Sequence, residues 1–391
     1  MSQTPLIFTQ LTQFLPIDFF KRLVREYKGN AYVKGFTCWN HLLVMVWAQL
    51  TGRVSLRDIV SSLHAHSDKT FRMGMGKNIS RNNLAYANAN RELAIYREMA
   101  QRMMAQASRI EINDMLLKNL IETYKINGFY AIDSSTVRFS LERFSWSVPQ
   151  ENKGGIKIHT MFDILRNVPR TCYITGHEER DQTFMDDFRY EPGCMYVMDK
   201  MYVKTPSLFH INKSGAYFIT RIKSNMIYQV LQDRPVDGER VLADKTITFS
   251  SRWAAGGYPD PLRLILFYSP QDNKTFAFIS NNFDMEPATI ALLYAYRWHI
   301  ELFFKWIKQH LRIKSFYGTS GNAVFIQIYT AIIAYCLLAI SANAIKFNGS
   351  LYEFASIISV TLTEKAWLRD VLYRYETRYS LENYSSQLLL F

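Results

Sequence analysis

The feature that most constrains the fold is a change in residue pattern near residue 126. Up to residue 120, apolar residues recur at helical spacing, as in WNHLLVMVWAQL and SLRDIVSSL. After residue 126 the apolar runs are short and rich in aromatic and β-branched residues, which predicts five strands: NGFYAIDSSTVRFS, GIKIHTMFDIL, RTCYITG, MYVMD and AYFITRIKS. Three consecutive strands followed by strands alternating with helices indicate an α/β fold with a mixed sheet and helices packed on it.

The remaining segments extend this prediction to a domain organisation. Residues 226–285 contain strand-like runs and Gly/Pro/Asp turns with little helical pattern, which indicates a β-rich insertion. We therefore predict a helical region at 1–120, a first part of the core at 121–225, the insertion at 226–285, and a second part of the core with C-terminal helices at 286–391.

The net charge narrows the class of partner. The chain has 46 lysines and arginines against 34 acidic residues, which gives +12 at pH 7. Residues 1–120 contain 16 of the basic residues and 8 of the acidic ones, so most of the excess charge lies in the first third of the chain. A polyanion, either nucleic acid or a membrane surface, is the expected partner.

One apolar segment decides between these two partners. Residues 323–345 are long enough to span a bilayer, but Gln327, Ser341 and Asn343 interrupt them, which favours a buried core helix over a membrane helix. The four cysteines are isolated and show no zinc-ligand spacing, and the N-terminus lacks the pattern of a secretory signal. These patterns favour nucleic acid as the partner, no membrane association, and a cytoplasmic, nucleoid-associated protein.

The run NISRNNLAYANANREL suggests where the helical region could contact DNA. Ser80 is a candidate N-cap, and Arg81, Asn82 and Asn83 follow in the first turn. These residue types reach base edges when a helix enters a major groove. The alternative is an ordinary polar helix start.

Three carboxylates lie where a negative charge needs compensation. Asp133 ends the apolar run FYAI and Asp199 ends YVM, so both are expected at a sheet edge, where desolvation of an acid is costly. Glu301 lies within LLYAYRWHIELFFKWIKQHLRIKSF, predicted as one helix over 292–316, on a face with Tyr294 and basic residues. Each carboxylate alone could be a turn residue, a cap or part of a solvated i,i+4 pair. Three that converge from separate elements would suit two Mg²⁺ ions.

These residues carry a resemblance to insertion-sequence DDE transposases with a ribonuclease H-like catalytic core. Tyr294, Arg297, Glu301 and Lys308 match the Y-x2-R-x3-E-x6-K signature at every position. The first and second aspartate motifs of the family correspond to DSST and DKMY, which precede the signature in the expected order. The resemblance implies a ribonuclease H-like mixed sheet flanked by helices, interrupted by the β-rich insertion and preceded by a helical DNA-binding region.

The resemblance also implies roles for individual residues. Two Mg²⁺ ions, for which Mn²⁺ can substitute, would be held by the catalytic acids Asp133, Asp199 and Glu301. The side chains of Tyr294, Arg297 and Lys308 would contact DNA near the cleaved phosphate.

Three further residues have two open interpretations each. Trp298 follows Arg297 and could stack on an unpaired or flipped base, or it could be a boundary packing residue. Lys157 and His159 alternate onto one face of the second strand, where they could touch phosphate or form a polar outer face.

The predicted function is that of a DNA transposase. It would cleave double-stranded DNA at the terminal inverted repeats and join the freed 3′-OH to target DNA by a cut-and-paste route, as a homodimer that pairs two ends. Two alternatives remain: a transposase-derived DNA-binding protein without catalysis, and a ribonuclease H-fold DNA nuclease that cuts without joining.

Overall fold

The computed structural model describes residues 4–77, 79–112, 114–139, 144, 154–176, 184–310 and 316–376. Its described residues divide into two compact units. Unit 1 is formed by segments within Met1–Glu111, Arg138–Gly154 and Lys305–Phe391, and unit 2 by segments within Ile112–Val137 and Gly155–Phe304.

The described part of the chain contains the following helices and strands. In chain order the helices are α1 (Ile7–Thr12), α2 (Ile17–Glu26), α3 (Cys38–Leu50), α4 (Leu56–Ala65), α5 (Ser67–Thr70), α6 (Arg81–Asn90), α7 (Leu93–Ala107), α8 (Met115–Thr123), α9 (Thr205–Lys213), α10 (Arg252–Gly257), α11 (Pro287–Ala295), α12 (Trp298–His310), α13 (Gly321–Ala344) and α14 (Leu351–Thr361). The strands are β1 (Gly128–Phe139), β2 (Gly154–Asp163), β3 (Val168–Gly176), β4 (Cys194–Met198), β5 (Tyr217–Arg221), β6 (Tyr228–Arg234), β7 (Val241–Phe249), β8 (Leu262–Ser269) and β9 (Lys274–Ser280).

Unit 1 is helical and is built around α13. This helix packs against α3, α6, α7 and α14. Among the described residues it is the helix long and apolar enough to cross a membrane by composition, and 89% of its most apolar 18-residue window is buried. Its side chains therefore form the centre of a protein core, as the interrupted apolar pattern predicts, and the N-terminal helices share that core.

The helix starts follow the capping residues in the sequence. Ser80 accepts a hydrogen bond from the Asn83 amide at the start of α6, so the helix start predicted there is confirmed. Ser350 and Glu353 form a capping box at α14. Each cap satisfies backbone N–H groups that have no partner inside the helix.

Unit 2 contains a nine-stranded mixed sheet in the order β3-β2-β1-β4-β5-β9-β8-β7-β6. Strands β1, β4 and β5 run parallel, whereas β2 and β3 are antiparallel to each other. From β5 outward to β6 each neighbouring pair is antiparallel. The mixed α/β fold and the helical N-terminal region are thus confirmed.

The strands of residues 226–285 continue this sheet beyond β5. One hydrophobic cluster includes Tyr196 of β4 and Phe218 of β5 together with Ile247 of β7, Leu264 of β8 and Ile279 of β9. The β-rich segment therefore shares a core with the central strands, because its apolar face lies on the same side of the same sheet.

Candidate active site

Asp133 and Asp199 lie side by side on neighbouring parallel strands. Ile132 of β1 pairs with Met198 of β4, so the two aspartates occupy the next position on each strand. Asp199 directly follows β4, whereas Asp133 lies inside β1, which continues to Phe139. The carboxyl ends of parallel strands are where α/β sheets commonly bind ligands. Two aspartates that follow separate apolar runs in the sequence are therefore adjacent in the structure.

Arg297 joins Asp133 to Glu301. The Arg297 Nη2 atom lies 2.7 Å from Glu301 Oε1, and its Nη1 atom lies 3.7 Å from Asp133 Oδ2. The Arg297 side chain is only 13% exposed. The i,i+4 pair suggested by the sequence therefore exists, but it is a partly buried cluster and not a solvated helix face.

The prediction of a single helix over 292–316 is wrong in one respect. It divides into α11 and α12, with a turn at Tyr296 and Arg297. Hydrogen bonds from Arg297 N to the Tyr294 carbonyl and from Ile300 N to the Arg297 carbonyl span three residues and tighten the chain there. Residues 311–315, which include Arg312, lie outside the described residues.

Arg221 holds the second aspartate, and sequence reasoning missed it. It ends β5, and its Nη2 atom donates to Asp199 Oδ2 at 2.6 Å. The Met201 amide donates to the other carboxylate oxygen at 3.0 Å. Because β5 is parallel to β4, a cation at the end of the strand AYFITR is expected beside Asp199, and this was the available signal.

Tyr294 lies between the two arginines. The Arg221 and Arg297 guanidinium carbons lie 6.0 and 5.7 Å from its ring centroid. Burial raises the pKa of its hydroxyl, against the opposing effect of the two cations. The ring therefore supports both guanidinium groups through cation–π contacts.

The two aspartates differ in their electrostatic environments. Burial raises the pKa of Asp133 to about 6, although a hydrogen bond from the Ser134 amide and the charge of Arg297 oppose this shift. Burial also disfavours the charged form of Asp199, but hydrogen bonds from the Met201 amide and Arg221 outweigh it and hold its pKa below the usual range. Burial and not mutual repulsion is thus the main cause of the raised pKa at this site.

A cavity of about 850 Å³ adjoins the arginines. Arg221, Tyr294 and Arg297 contribute to its wall, together with Phe267 of β8 and Trp298 at the start of α12. Trp298 is 56% exposed, so it is not a core side chain.

Lys308 and His159 lie in different structural environments. Lys308 is half-buried on the part of α12 that belongs to unit 1. His159 is buried, stacks on Phe184 at 3.7 Å between ring centroids, and bonds Thr175 through Nε2. Both interpretations of His159, a phosphate contact or a polar outer face, are therefore wrong, because β2 turns this side chain into the core.

The described residues do not contain a preassembled metal cluster. No three acidic, histidine or cysteine side chains among them lie close enough together to hold one ion. Asp133, Glu301 and Asp199 are instead brought to one region of unit 2 by ion pairs with two arginines.

Comparison with known proteins identifies the family. Residues 126–337, more than half of the chain, match the family described as Transposase DDE domain. Residues 3–76 match a domain of unknown function, DUF4372. The chain belongs to the DDE transposase family.

Three relatives are consistent with this assignment. A protein named as a transposase, y4zB of Sinorhizobium fredii, is 31% identical over 72% of this chain and 77% of its own length. A probable transposase for insertion sequence element IS5377 of Geobacillus stearothermophilus is 24% identical over 53% of this chain and 55% of its own. A protein named as the transposase of element IS4SA of Synechocystis is 23% identical over 92% of this chain and 100% of its own.

The predicted class is therefore confirmed: the chain is an insertion-sequence DDE transposase, an enzyme that acts on DNA and depends on a divalent metal ion.

Proposed function

We propose that this transposase cleaves DNA at transposon ends with Asp133, Asp199 and Glu301 as its catalytic, metal-binding acids. The observation that carries the proposal is the set of ion pairs in which Arg297 contacts Asp133 and Glu301 and Arg221 contacts Asp199. A structural ion-pair network would not need two partly desolvated aspartates on adjacent inner strands, paired with arginines that line a cavity.

The donor set fits divalent ions. Carboxylate oxygens are the ligands that Mg²⁺ prefers, and the two guanidinium groups already balance negative charge at this place. We propose two Mg²⁺ ions, with Mn²⁺ as a substitute, held by Asp133, Asp199 and Glu301. When bound, such ions would supply an activated oxygen nucleophile and would stabilise the leaving oxygen.

Other side chains would hold the DNA. Arg297 and Lys308 would neutralise phosphates near the cleaved bond, and Tyr294 would both contact the strand and support Arg297 through its ring. Trp298, exposed beside the cavity, would stack on a base displaced from the duplex. The cavity volume is sufficient for a nucleobase.

The N-terminal helices would recognise the DNA outside the cleavage site. The exposed face of α6 carries Arg81, Asn82, Asn83, Tyr86 and Asn90 without an acidic residue. Asparagine can read adenine bidentately in a major groove. We propose that residues 1–120 contact the terminal inverted repeats.

The complete reaction would be cut-and-paste transposition by a homodimer in the cytoplasm, at the nucleoid. The 3′-OH freed by hydrolysis at each end would attack a target phosphodiester, so that one bond forms as another breaks and target strand is joined to transposon.

A joining assay distinguishes this function from its alternatives. The purified chain is incubated with Mg²⁺, a labelled duplex from the end of its own element, and a supercoiled target plasmid. Cleavage with joined product supports the proposal. Cleavage without joining would indicate a nuclease, and binding without cleavage would indicate a DNA-binding protein.

A further inference from the structure

Each proposed metal-binding carboxylate is held by an arginine. Arg297 contacts Glu301 at 2.7 Å and Asp133 at 3.7 Å, and Arg221 contacts Asp199 at 2.6 Å. The contacts to Glu301 and Asp199 have the short lengths of charge-assisted hydrogen bonds. A divalent cation that binds these acids must therefore compete with two guanidinium groups.

The competition is strengthened because the pairs are only partly open to solvent. The exposed fraction of the side chain is 13% for Arg297, 20% for Asp133 and 32% for Glu301. It is 30% for Arg221 and 21% for Asp199. Ion pairs in such surroundings are screened less than exposed ones. Removal of the guanidinium from one of these acids leaves a carboxylate that is costly to keep without a cation.

The same two arginines also border a cavity. Arg221 and Arg297 line the 850 Å³ cavity while they contact the acids. A phosphate at that wall offers an arginine the same bidentate geometry as a carboxylate. Exchange of the acid for a phosphate would require a change of side-chain direction and no rearrangement of the strands.

We propose that Arg297, with Arg221, locks the three carboxylates until DNA binds, so that DNA and the metal ion bind cooperatively. A phosphate of the bound DNA draws Arg297 from Asp133 and Glu301, and the freed acids then take up the metal. Arg221 is a positioning residue that holds Asp199 in the meantime. This inference rests on the proposed metal-binding role of the three acids.

The lock has a functional consequence. Without DNA, the arginines keep metal affinity low, so the acids take up the metal ion only when DNA is bound. Because coupling between two sites is reciprocal, the metal must raise the affinity for DNA by the same factor as DNA raises the affinity for the metal.

The test measures Mn²⁺ binding by electron paramagnetic resonance, which reports the free ion and needs no turnover. The full chain is titrated with Mn²⁺ alone and with a duplex from the end of its own element. The Asp133→Asn variant with the same duplex measures Mn²⁺ bound by DNA phosphates. We expect DNA to tighten Mn²⁺ binding by about tenfold or more, within the usual range of coupling.

The Arg297→Met variant removes the charge and keeps much of the side-chain bulk. It should bind Mn²⁺ at least about tenfold more tightly than the unaltered chain without DNA, and DNA should then add little. The matched control is Arg234→Met, which removes another arginine–aspartate pair of unit 2, with Asp244, and should leave Mn²⁺ binding unchanged.

The outcomes distinguish a failure of the proposed lock from a failure of the proposed metal site. Equal Mn²⁺ affinity of the unaltered chain with and without DNA would overturn the lock, whether or not Arg297→Met folds. Unchanged metal affinity in a folded Arg297→Met variant would do the same. If Asp133→Asn binds Mn²⁺ as tightly as the unaltered chain, the proposed metal site itself is wrong.

Discussion

Asp133 and Asp199 carry the same charge at adjacent positions, yet their environments act on that charge in opposite directions. Burial raises the pKa of Asp133 to about 6, and hydrogen bonds hold the pKa of Asp199 below its usual range. At neutral pH, Asp133 therefore costs the folded state free energy, whereas Asp199 contributes to its stability. Acids with a raised pKa and a cost to stability are found most often at functional sites.

The Asp133→Asn and Asp199→Asn variants should change stability with opposite signs. The free-energy cost of ionised Asp133 to the folded state is absent below pH 3.8, grows as the pH rises and is complete above about pH 6. Asp133→Asn should thus stabilise the chain at pH 7.5 by about 1–3 kcal/mol and lose this gain towards pH 4. The Asp199 contribution is present at pH 7.5 and falls with acidification, so Asp199→Asn should destabilise at pH 7.5. Thermal unfolding of both variants at pH 7.5 and pH 4 measures these stability changes. Stability changes of the same sign at pH 7.5 would contradict the opposite pKa shifts of the two aspartates.

Trp298 tests whether the exposed aromatic acts on DNA. Trp298→Ala should leave the first nick largely intact and impair later steps that need a displaced base, with a loss of about 1–3 kcal/mol in transition-state stabilisation. Timed assays of nicking and of the later products separate the two effects. Trp253→Ala is the control, because Trp253 is also exposed, at 67%, and does not line the cavity. Equal loss of both steps would indicate a packing role.

At the scale of elements, the sequence predicted where strands lie but not their order in the sheet. Short apolar runs rich in aromatic and β-branched residues identify β1, β4 and β5, because this composition is a local property of the sequence. The order β5-β9-β8-β7-β6 depends on non-local pairing, which local pattern does not encode. For the same reason Arg221 was missed: its importance comes from lying on the strand beside Asp199.

The turn between α11 and α12 illustrates a second limit. Apolar spacing continues through residues 292–316, so the sequence predicts one helix, but three-residue hydrogen bonds around Tyr296 interrupt it. The residues of the signature nevertheless remain in contact across the turn. Arg297 lies over the Tyr294 ring and forms an ion pair with Glu301.

The packing of α13 changes how the N-terminal region must be tested. Helices α3, α6 and α7 bury their apolar faces on α13, so a fragment of residues 1–120 would lack the centre of its core. DNA binding through α6 should be measured on the full chain. Arg81→Ala should weaken binding and lower the slope of log affinity against log salt by about one unit.

The control for α6 is Lys274→Ala, which removes an exposed cation at the first residue of β9. This variant should leave the salt slope unchanged. A loss of slope as large as that of Arg81→Ala would show that any surface cation contributes, and α6 would have no special role.

At the scale of the whole molecule, the net charge predicted the kind of partner, and a family resemblance predicted the class of enzyme. An excess of 12 positive charges indicated a polyanionic partner, and the order of two aspartates and a glutamate indicated the transposase family. The i,i+4 contact of Arg297 with Glu301 follows from helical spacing. The arginine contacts of Asp133 and Asp199 could not be predicted, because they depend on where separate elements meet.

Cleavage by amide variants tests the central claim most directly. A labelled transposon-end duplex with Mg²⁺ is given to the unaltered chain and to Asp133→Asn, Asp199→Asn, Glu301→Gln and the surface control Asp233→Asn, whose carboxylate is 74% exposed. Each of the first three should lose cleavage by at least about 100-fold, since metal-assisted chemistry supplies several kcal/mol, while DNA retention persists. Asp233→Asn should cleave normally. Substantial Mg²⁺-dependent cleavage by any folded variant of the three acids would contradict the assignment of the active site.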